Sequence, residues 1–404
     1  MKRIIHDIRN KRIGFLLPII ACLFFFSACL SPQKQGDIIE IDISQDYPEK
    51  ELNLKDIADI SYVKLDAADD KYLVQGSVVG VTDKTIVIGN WRASEFLFFT
   101  LDGKPKSKVS RRGNGPEEYV SITASLYDEE NDELFVNDTR QHKLLVYSST
   151  GEYKRTLSLP KGSIVERPYN FDKNSLLFYD LARSAGQIEG DLYEHPFVRI
   201  SKKDGQVLEY PLIPEDTNII LGIKPEPGAP SPLGGFILGR KTHIINYRDG
   251  FLLYNQETDT MFYYQKNQSL TPVFVRTPPI KEMKQITYMN TLFEVGNYEF
   301  IQTMTLVKAT PGPLKTTYLV RDKRDGSLFT QKIVFDDFKD ANITLDPINN
   351  VNPTNNVKVG VLQYEVGVLK EALEKGKLSG ELKKIVSEMG EEDNDLLILL
   401  HFKN

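Results

Sequence analysis

The sequence is poor in the residue types that build metal sites and covalent nucleophiles. Its two cysteines, Cys22 and Cys29, both lie near the N-terminus, so the rest of the chain has neither a disulfide framework nor a thiolate zinc site. The five histidines, His6, His142, His195, His243 and His401, have no paired spacing, which excludes a His-based metal motif. No Gly-x-Ser-x-Gly elbow occurs. Gly113-x-Gly115 lacks the strand-then-helix context and the lysine of a phosphate-binding loop. Positive charge is scarce too: 50 Lys and Arg against 56 Asp and Glu leave −6, the opposite of a nucleic-acid footprint. Tryptophan is nearly absent, with Trp91 alone, yet there are 19 Tyr and 21 Phe. That aromatic bias, with many Val and Ile, favours strands. A hydrophobic fraction of 41% excludes long disorder for most of the chain.

The N-terminus reads as an address. Lys2, Arg3, Arg9, Lys11 and Arg12 precede an almost wholly apolar stretch, residues 13–28. A basic start, a short apolar core and then small residues are the pattern of a secretory signal. The run ends Phe26-Ser27-Ala28-Cys29, which resembles a bacterial lipobox with Cys29 as the lipidated residue. Residues 1–28 are expected to be a lipoprotein signal peptide, 29–37 a polar tether, and 38–404 the folded body. Cleavage removes five cations and one anion and leaves a body near −10. Such a body is repelled by anionic lipid, so the acyl chains must anchor it. No acidic run follows Cys29, which favours a periplasm-facing protein over surface display.

Repetition decides the fold. The pattern is a β-rich run, a polar loop, a second run, a tight turn and a third run. Its clearest copies are residues 86–109, turning at Gly103, and 134–157, turning at Gly151. Later copies turn at Gly205, near Asn267 and at Gly326. Asp-Gly between alternating apolar residues marks hairpins, because glycine accepts the positive φ such turns need. Several strands per unit at this period predict an all-β chain, a six-bladed β-propeller, with seven blades as the alternative. Residues 59–67 and 394–403 are expected to pair in one blade and close the ring without an exposed edge. Residues 365–389 read as two short amphipathic helices broken near Gly376 and Gly380, just before the closing strand. Residues 213–240, rich in Pro and Gly, read as a long irregular loop.

Three segments resemble a known family, the six-bladed β-propeller lipoproteins of Bacteroidetes, related to NHL-repeat propellers. Ile60-Ser61-Tyr62-Val63-Lys64-Leu65 looks like the family's first strand, and Asn394 with the apolar run after it looks like its closing strand. Arg112-Gly113-Asn114-Gly115-Pro116-Glu117-Glu118-Tyr119 is similar to its Gly-x-Gly-Pro-x-Glu-Tyr signature, with Glu117 where the family usually has Gly. Residues 136–147 resemble an NHL core repeat. The resemblance implies a fold and no particular function.

Candidate ligand contacts come from position. Corresponding loops hold Asn90-Trp91-Arg92, Asn137-Asp138-Thr139-Arg140, Tyr179-Asp180 with Arg183, and Tyr254-Asn255. Aromatic rings bind sugars and peptides with little loss of side-chain freedom. Arg111 and Arg112 present two guanidinium groups suited to a carboxylate or phosphate. Asp138 reads as a turn-stabilising acceptor, His142 as a surface turn residue, and the run Asp128–Glu133 as a solvated acidic turn, not a calcium loop. The expected function is a membrane-anchored, non-catalytic binding or scaffold module for a peptide, glycan or protein, monomeric, without metal or cofactor. Ligand contacts are expected at Trp91, Arg92, Arg111, Arg112, Arg140, Tyr179, Arg183 and Tyr254. The alternative is a propeller hydrolase or lyase acting on a glycan or ester. It requires convergent carboxylates that the sequence does not single out. Replacing Cys29 with alanine is expected to release the protein from membranes in a carbonate wash; a variant that stays bound refutes lipid anchoring.

Overall fold

The structure is a computed structural model that describes residues 38–68, 70–184, 196–214, 243–255, 258–285, 287–305, 315–346 and 358–403. The strands form six separate sheets. Blade 1 comprises Ser77–Val81, Ile86–Asn90, Glu95–Phe99 and Pro105–Ser110. Blade 2 comprises Ala124–Asp128, Glu133–Asp138, Lys143–Tyr147 and Tyr153–Leu157. Blade 3 comprises Tyr169–Asn170, Ser175–Tyr179, Phe197–Ser201 and Val207–Glu209. Blade 4 is built from Ile244–Tyr247, Gly250–Leu253, Thr260–Tyr264 and Leu270–Thr277, and blade 5 from Thr287–Val295, Tyr298–Thr305, Lys315–Asp322 and Leu328–Val334. Blade 6 joins the two ends of the chain: Val359–Tyr364, then Leu396–Phe402, then Ala58–Lys64. First strands touch between blades 1 and 2, 2 and 3, 4 and 5, and 6 and 1, as expected around a propeller axis. The count is six, and the ring closes as the sequence predicts.

The core is a set of layers between blades, because alternate residues of a strand face opposite neighbours. In blade 1, Phe96 and Phe98 join the layer with blade 2, while Leu97 and Phe99 join the layer with blade 6. In blade 2, Leu145 and Tyr147 face blade 1, and Leu144 and Val146 face blade 3. Runs such as Phe96–Phe99 and Leu176–Tyr179 are therefore continuously apolar; they have no solvent face. Each large side chain so buried contributes roughly 1.5–3 kcal/mol. One layer spans blades 4, 5 and 6 and takes in the two helices Val366–Glu374 and Gly380–Glu388 through Leu369, Leu382 and Val386. Gly376, at φ 65°, ends the first helix; Gly380 opens the second after Ser379.

The N-terminal segment adds an outer belt that the sequence does not reveal. Ile39–Asp42 pairs in parallel with the last strand of blade 4, and Glu49–Asn53 pairs in parallel with the last strand of blade 5. The chain then passes through the short helix Leu54–Ile57 into its strand of blade 6. Glu49–Asn53 is short and largely exposed, so it carries neither alternation nor an apolar run.

The turns between third and fourth strands repeat as expected. Gly103, Gly151, Gly205 and Gly326 have φ between 75° and 83°, and in blade 4 Gln268 takes the position at 69°, one residue beyond Asn267. A Ser or Thr at the end of the third strand ties the turn: the hydroxyl of Thr100 accepts from Lys104 N (3.0 Å) and that of Ser148 from Glu152 N (3.1 Å). These turns also press on the preceding blade. A Cβ on Gly205 would lie 2.4 Å from the Ser158 carbonyl oxygen. The Pro-rich loop falls almost wholly outside the described residues. Gly205→Ala combines a left-handed backbone with this overlap and is expected to cost about 3 kcal/mol. Gly376→Ala, with open space around it, should cost about 1 kcal/mol. Thermal unfolding of both variants checks this; equal losses would refute the close-approach account.

Candidate binding site

Antiparallel alternation places the turns between second and third strands, and the connections between blades, at one end of the propeller. That end is organised by a repeated cap. The residue closing the second strand in blades 1 and 2, and the residue just after it in blade 3, turns its side chain onto the incoming connection. Asn90 Oδ1 accepts from Gln75 N at 2.9 Å, and its Nδ2 donates to Leu73 O at 2.9 Å. Asp138 accepts from Val120 N at 2.6 Å and from Arg140 N at 3.1 Å. Asp180 accepts from Ile164 N and Ala182 N, both at 3.1 Å, and from the Ser163 hydroxyl. All three caps are almost fully buried. Asp138 is thus the turn-stabilising acceptor its sequence context predicts, and Asn90 and Asp180 play the same part.

The predicted contacts divide. Trp91 remains 40% exposed, with its indole N–H donating to Ser77 Oγ at 3.2 Å. Arg92, Arg112 and Arg140 are exposed and form no ion pair among the described residues. Arg111 is different: its Nε donates to the Gly151 carbonyl oxygen at 2.8 Å and latches blade 1 to a turn of blade 2. Tyr179 and Tyr254 are buried. The Tyr179 ring stacks on His243 at 3.7 Å, and His243 Nδ1 donates to the Tyr254 carbonyl oxygen at 3.3 Å. Sequence reasoning passed over His243, whose only signal is its place beside the apolar strand Ile244–Tyr247. Burial holds the Tyr254 phenol well above its ordinary pKa. The Arg183 side chain and Cys29 lie outside the described residues.

The glycine-rich signature is structural. The Glu118 carboxylate folds back to accept from Gly115 N at 2.8 Å, and a Cβ on Gly113 would overlap it at 1.8 Å. Tyr119 is fully buried; its hydroxyl donates to Ser94 O at 2.8 Å and accepts from Arg111 N at 3.1 Å. Burial pushes that phenol up to about 12. The acidic run disperses onto separate partners. Asp128 pairs with Lys202 at 2.7 Å in full burial, Glu130 with Lys173 at 2.9 Å, and Glu133 with Arg155 at 2.7 Å. Glu129 accepts from the hydroxyls of Thr82 and Thr85 at 2.8 and 2.7 Å. No group of three or more metal-ligating side chains occurs among the described residues. His142 is an exposed turn residue with φ 51°.

The chain matches the family described as Domain of unknown function (DUF4934) over residues 38–401. It belongs to that family. The fold is similar to that of an exported protein from Bacteroides fragilis, at 16% identity and TM-score 0.61, covering 91% of this chain and all of that one. It is also similar to a DUF4221 family member from Bacteroides vulgatus, at 10% identity and TM-score 0.47, covering 86% of this chain and 97% of that one. A third similar structure is virginiamycin B lyase from Staphylococcus aureus, at 12% identity and TM-score 0.38, covering 67% of this chain and 87% of that one. No curated protein matches the sequence. Such identities speak to fold alone.

Asp138→Ala leaves several part-buried N–H groups without their acceptor and is expected to cost about 2–3 kcal/mol. Trp91→Ala should cost less than about 1 kcal/mol, because much of the ring is already in water. Denaturant unfolding distinguishes cap from surface residue; equal losses would overturn the division.

Proposed function

We propose that this DUF4934 protein is a cell-envelope lipoprotein, facing the periplasm and held by acyl chains on Cys29. Its propeller then serves as a non-catalytic binding module for a peptide, glycan or protein. The observation that carries the reading is the exposed set Trp91, Arg92, Arg112 and Arg140. On an acidic chain, the only tryptophan and three arginines without ion-pair partners among the described residues lie on connections of blades 1 and 2, at one end of the ring. Exposed guanidinium groups suit planar anionic groups, and an exposed indole suits a sugar or peptide face. Asp138 and Asp180 support binding over catalysis, because their oxygens are engaged by backbone and hydroxyl donors. A general acid–base pair needs carboxylates facing a substrate.

A thermal-shift screen of the protein against glycans, peptides and organic anions tests this reading. A ligand at 100 times its Kd stabilises by about 2.7 kcal/mol. The expected hit loses its effect in a Trp91→Ala/Arg140→Ala variant. A hit that this variant and Arg92→Ala/Arg112→Ala both leave intact would overturn the assignment. A flat screen followed by cross-linking in intact cells that avoids this end would do the same.

A further inference from the structure

Three turns of blades 1 and 2 are clamped into one rim around the only tryptophan of the chain. The Tyr119 hydroxyl donates at 2.8 Å to Ser94 O, in the turn that carries Trp91, and accepts from Arg111 N at 3.1 Å. Tyr119 N donates to Arg111 O at 3.1 Å, which fixes Arg112 within the same loop. One residue on, Val120 N donates to Asp138 at 2.6 Å, and Asp138 also accepts from Arg140 N at 3.1 Å. The turn of Trp91 and Arg92 is thus joined to those of Arg112 and Arg140 through Ser94, Tyr119, Val120 and Asp138. The indole is seated as well. Ser77 and Gly89 pair across the first two strands of blade 1, and the Trp91 ring folds back onto that pair. Its Nε1 donates to Ser77 Oγ at 3.2 Å, and a Cβ on Gly89 would lie 3.0 Å from both Cζ2 and Cη2. Gly89 stands where blades 2 and 3 carry Asn137 and Tyr179, both buried. Held along this edge, the ring has a fixed orientation and keeps 40% exposure.

We propose that this rim binds an acidic sugar, a pyranose ring carrying a carboxylate, with the Trp91 indole stacked on the sugar and the arginines taking the carboxylate. The inference rests on the binding reading above and narrows its ligand. Polarised C–H bonds on one face of a pyranose are drawn to the electron-rich face of an indole. A planar guanidinium matches a carboxylate. Arg92, Arg112 and Arg140 are exposed and have no ion-pair partner among the described residues. The carboxylates on the same turns are mostly spent. Glu95 is held by Lys108 and Asn90, Glu118 by Gly115 N, and Asp138 by backbone N–H groups. Glu117 alone is exposed. A peptide or protein surface needs a cluster of apolar anchors. On these turns Trp91 is the only large apolar side chain exposed. A single seated ring amid guanidinium groups suits one sugar unit with its acid.

Because Trp91 is the only tryptophan, intrinsic fluorescence of the protein reports this site alone. The test is a titration with the galacturonic acid trisaccharide and with the galactose trisaccharide of the same linkage. The acidic sugar is expected to change the emission saturably and to shield the ring from acrylamide, with the neutral sugar much weaker. Gly89→Ala, which pushes the ring off its seat, should weaken acidic-sugar binding by about tenfold, the value of one aromatic contact. Should that variant fail to fold, Ser77→Ala, which frees the indole N–H, takes its place. Arg112→Ala/Arg140→Ala should erase the preference for the acidic sugar. No response to either sugar, equal responses to both, or binding unchanged in the seat variant would each overturn the inference. An acidic peptide that binds the protein but not Trp91→Ala, where the sugars do not bind, would overturn it and leave the binding function standing. Sugar binding retained in Trp91→Ala and in the double arginine variant would overturn both.

Discussion

Every blade of this propeller buries both faces, and the rest of the structure follows from that constraint. A four-stranded sheet with Phe96 and Phe98 on one side and Leu97 and Phe99 on the other cannot rest in water on either side. Each blade needs two neighbours, so the ring has to close. Closure falls to the chain ends: Ala58–Lys64 pairs with Leu396–Phe402, whose other edge carries Val359–Tyr364. Among the described residues blade 6 has these three strands, and the two helices pack into the layer beside it through Leu369, Leu382 and Val386. The arrangement leaves no need for disulfides, consistent with a body free of paired cysteines.

The same constraint shows why the family's signature speaks of fold and not of function. The chain crossing from one blade to the next must turn sharply against buried surface, and its backbone groups need partners. In the crossing from blade 1 to blade 2, Glu118 and Tyr119 supply them, and the Glu118 carboxylate folds into the space that a Cβ on Gly113 would take. Asp138 does the same work from the adjoining strand. Polar residues that look like ligand contacts in the sequence are thereby divided by geometry. Arg111 braces a neighbouring turn, whereas Arg112, one residue on, faces solvent.

Much of this was legible in the sequence, and the reason is periodicity. The turn glycines at 103, 151, 205 and 326 recur because one turn geometry recurs, and apolar runs such as 144–147 persist because both faces are buried. The closing pair was legible because Leu396–Phe402 is too apolar to lie at an edge. What stayed hidden carries no period. Glu49–Asn53 pairs through its backbone at the rim, where side chains are nearly irrelevant. At the candidate site, exposure at Trp91, Arg92 and Arg140 followed from turn position. The burial of Tyr179 and Tyr254 did not, because it depends on His243 and on packing between blades.

The belt and a buried guanidinium meet at one place. Arg276 is paired in register with Ile41, and Ile43 N donates to the carbonyl oxygen of Thr277 at 2.9 Å. The first described strand, Ile39–Asp42, is thus the outermost strand of the blade that carries Arg276. Peeling that strand away would expose the last strand of blade 4 as an unpaired edge. The belt thus covers the edge strand on which the fold leaves Arg276 Nη2 without a partner.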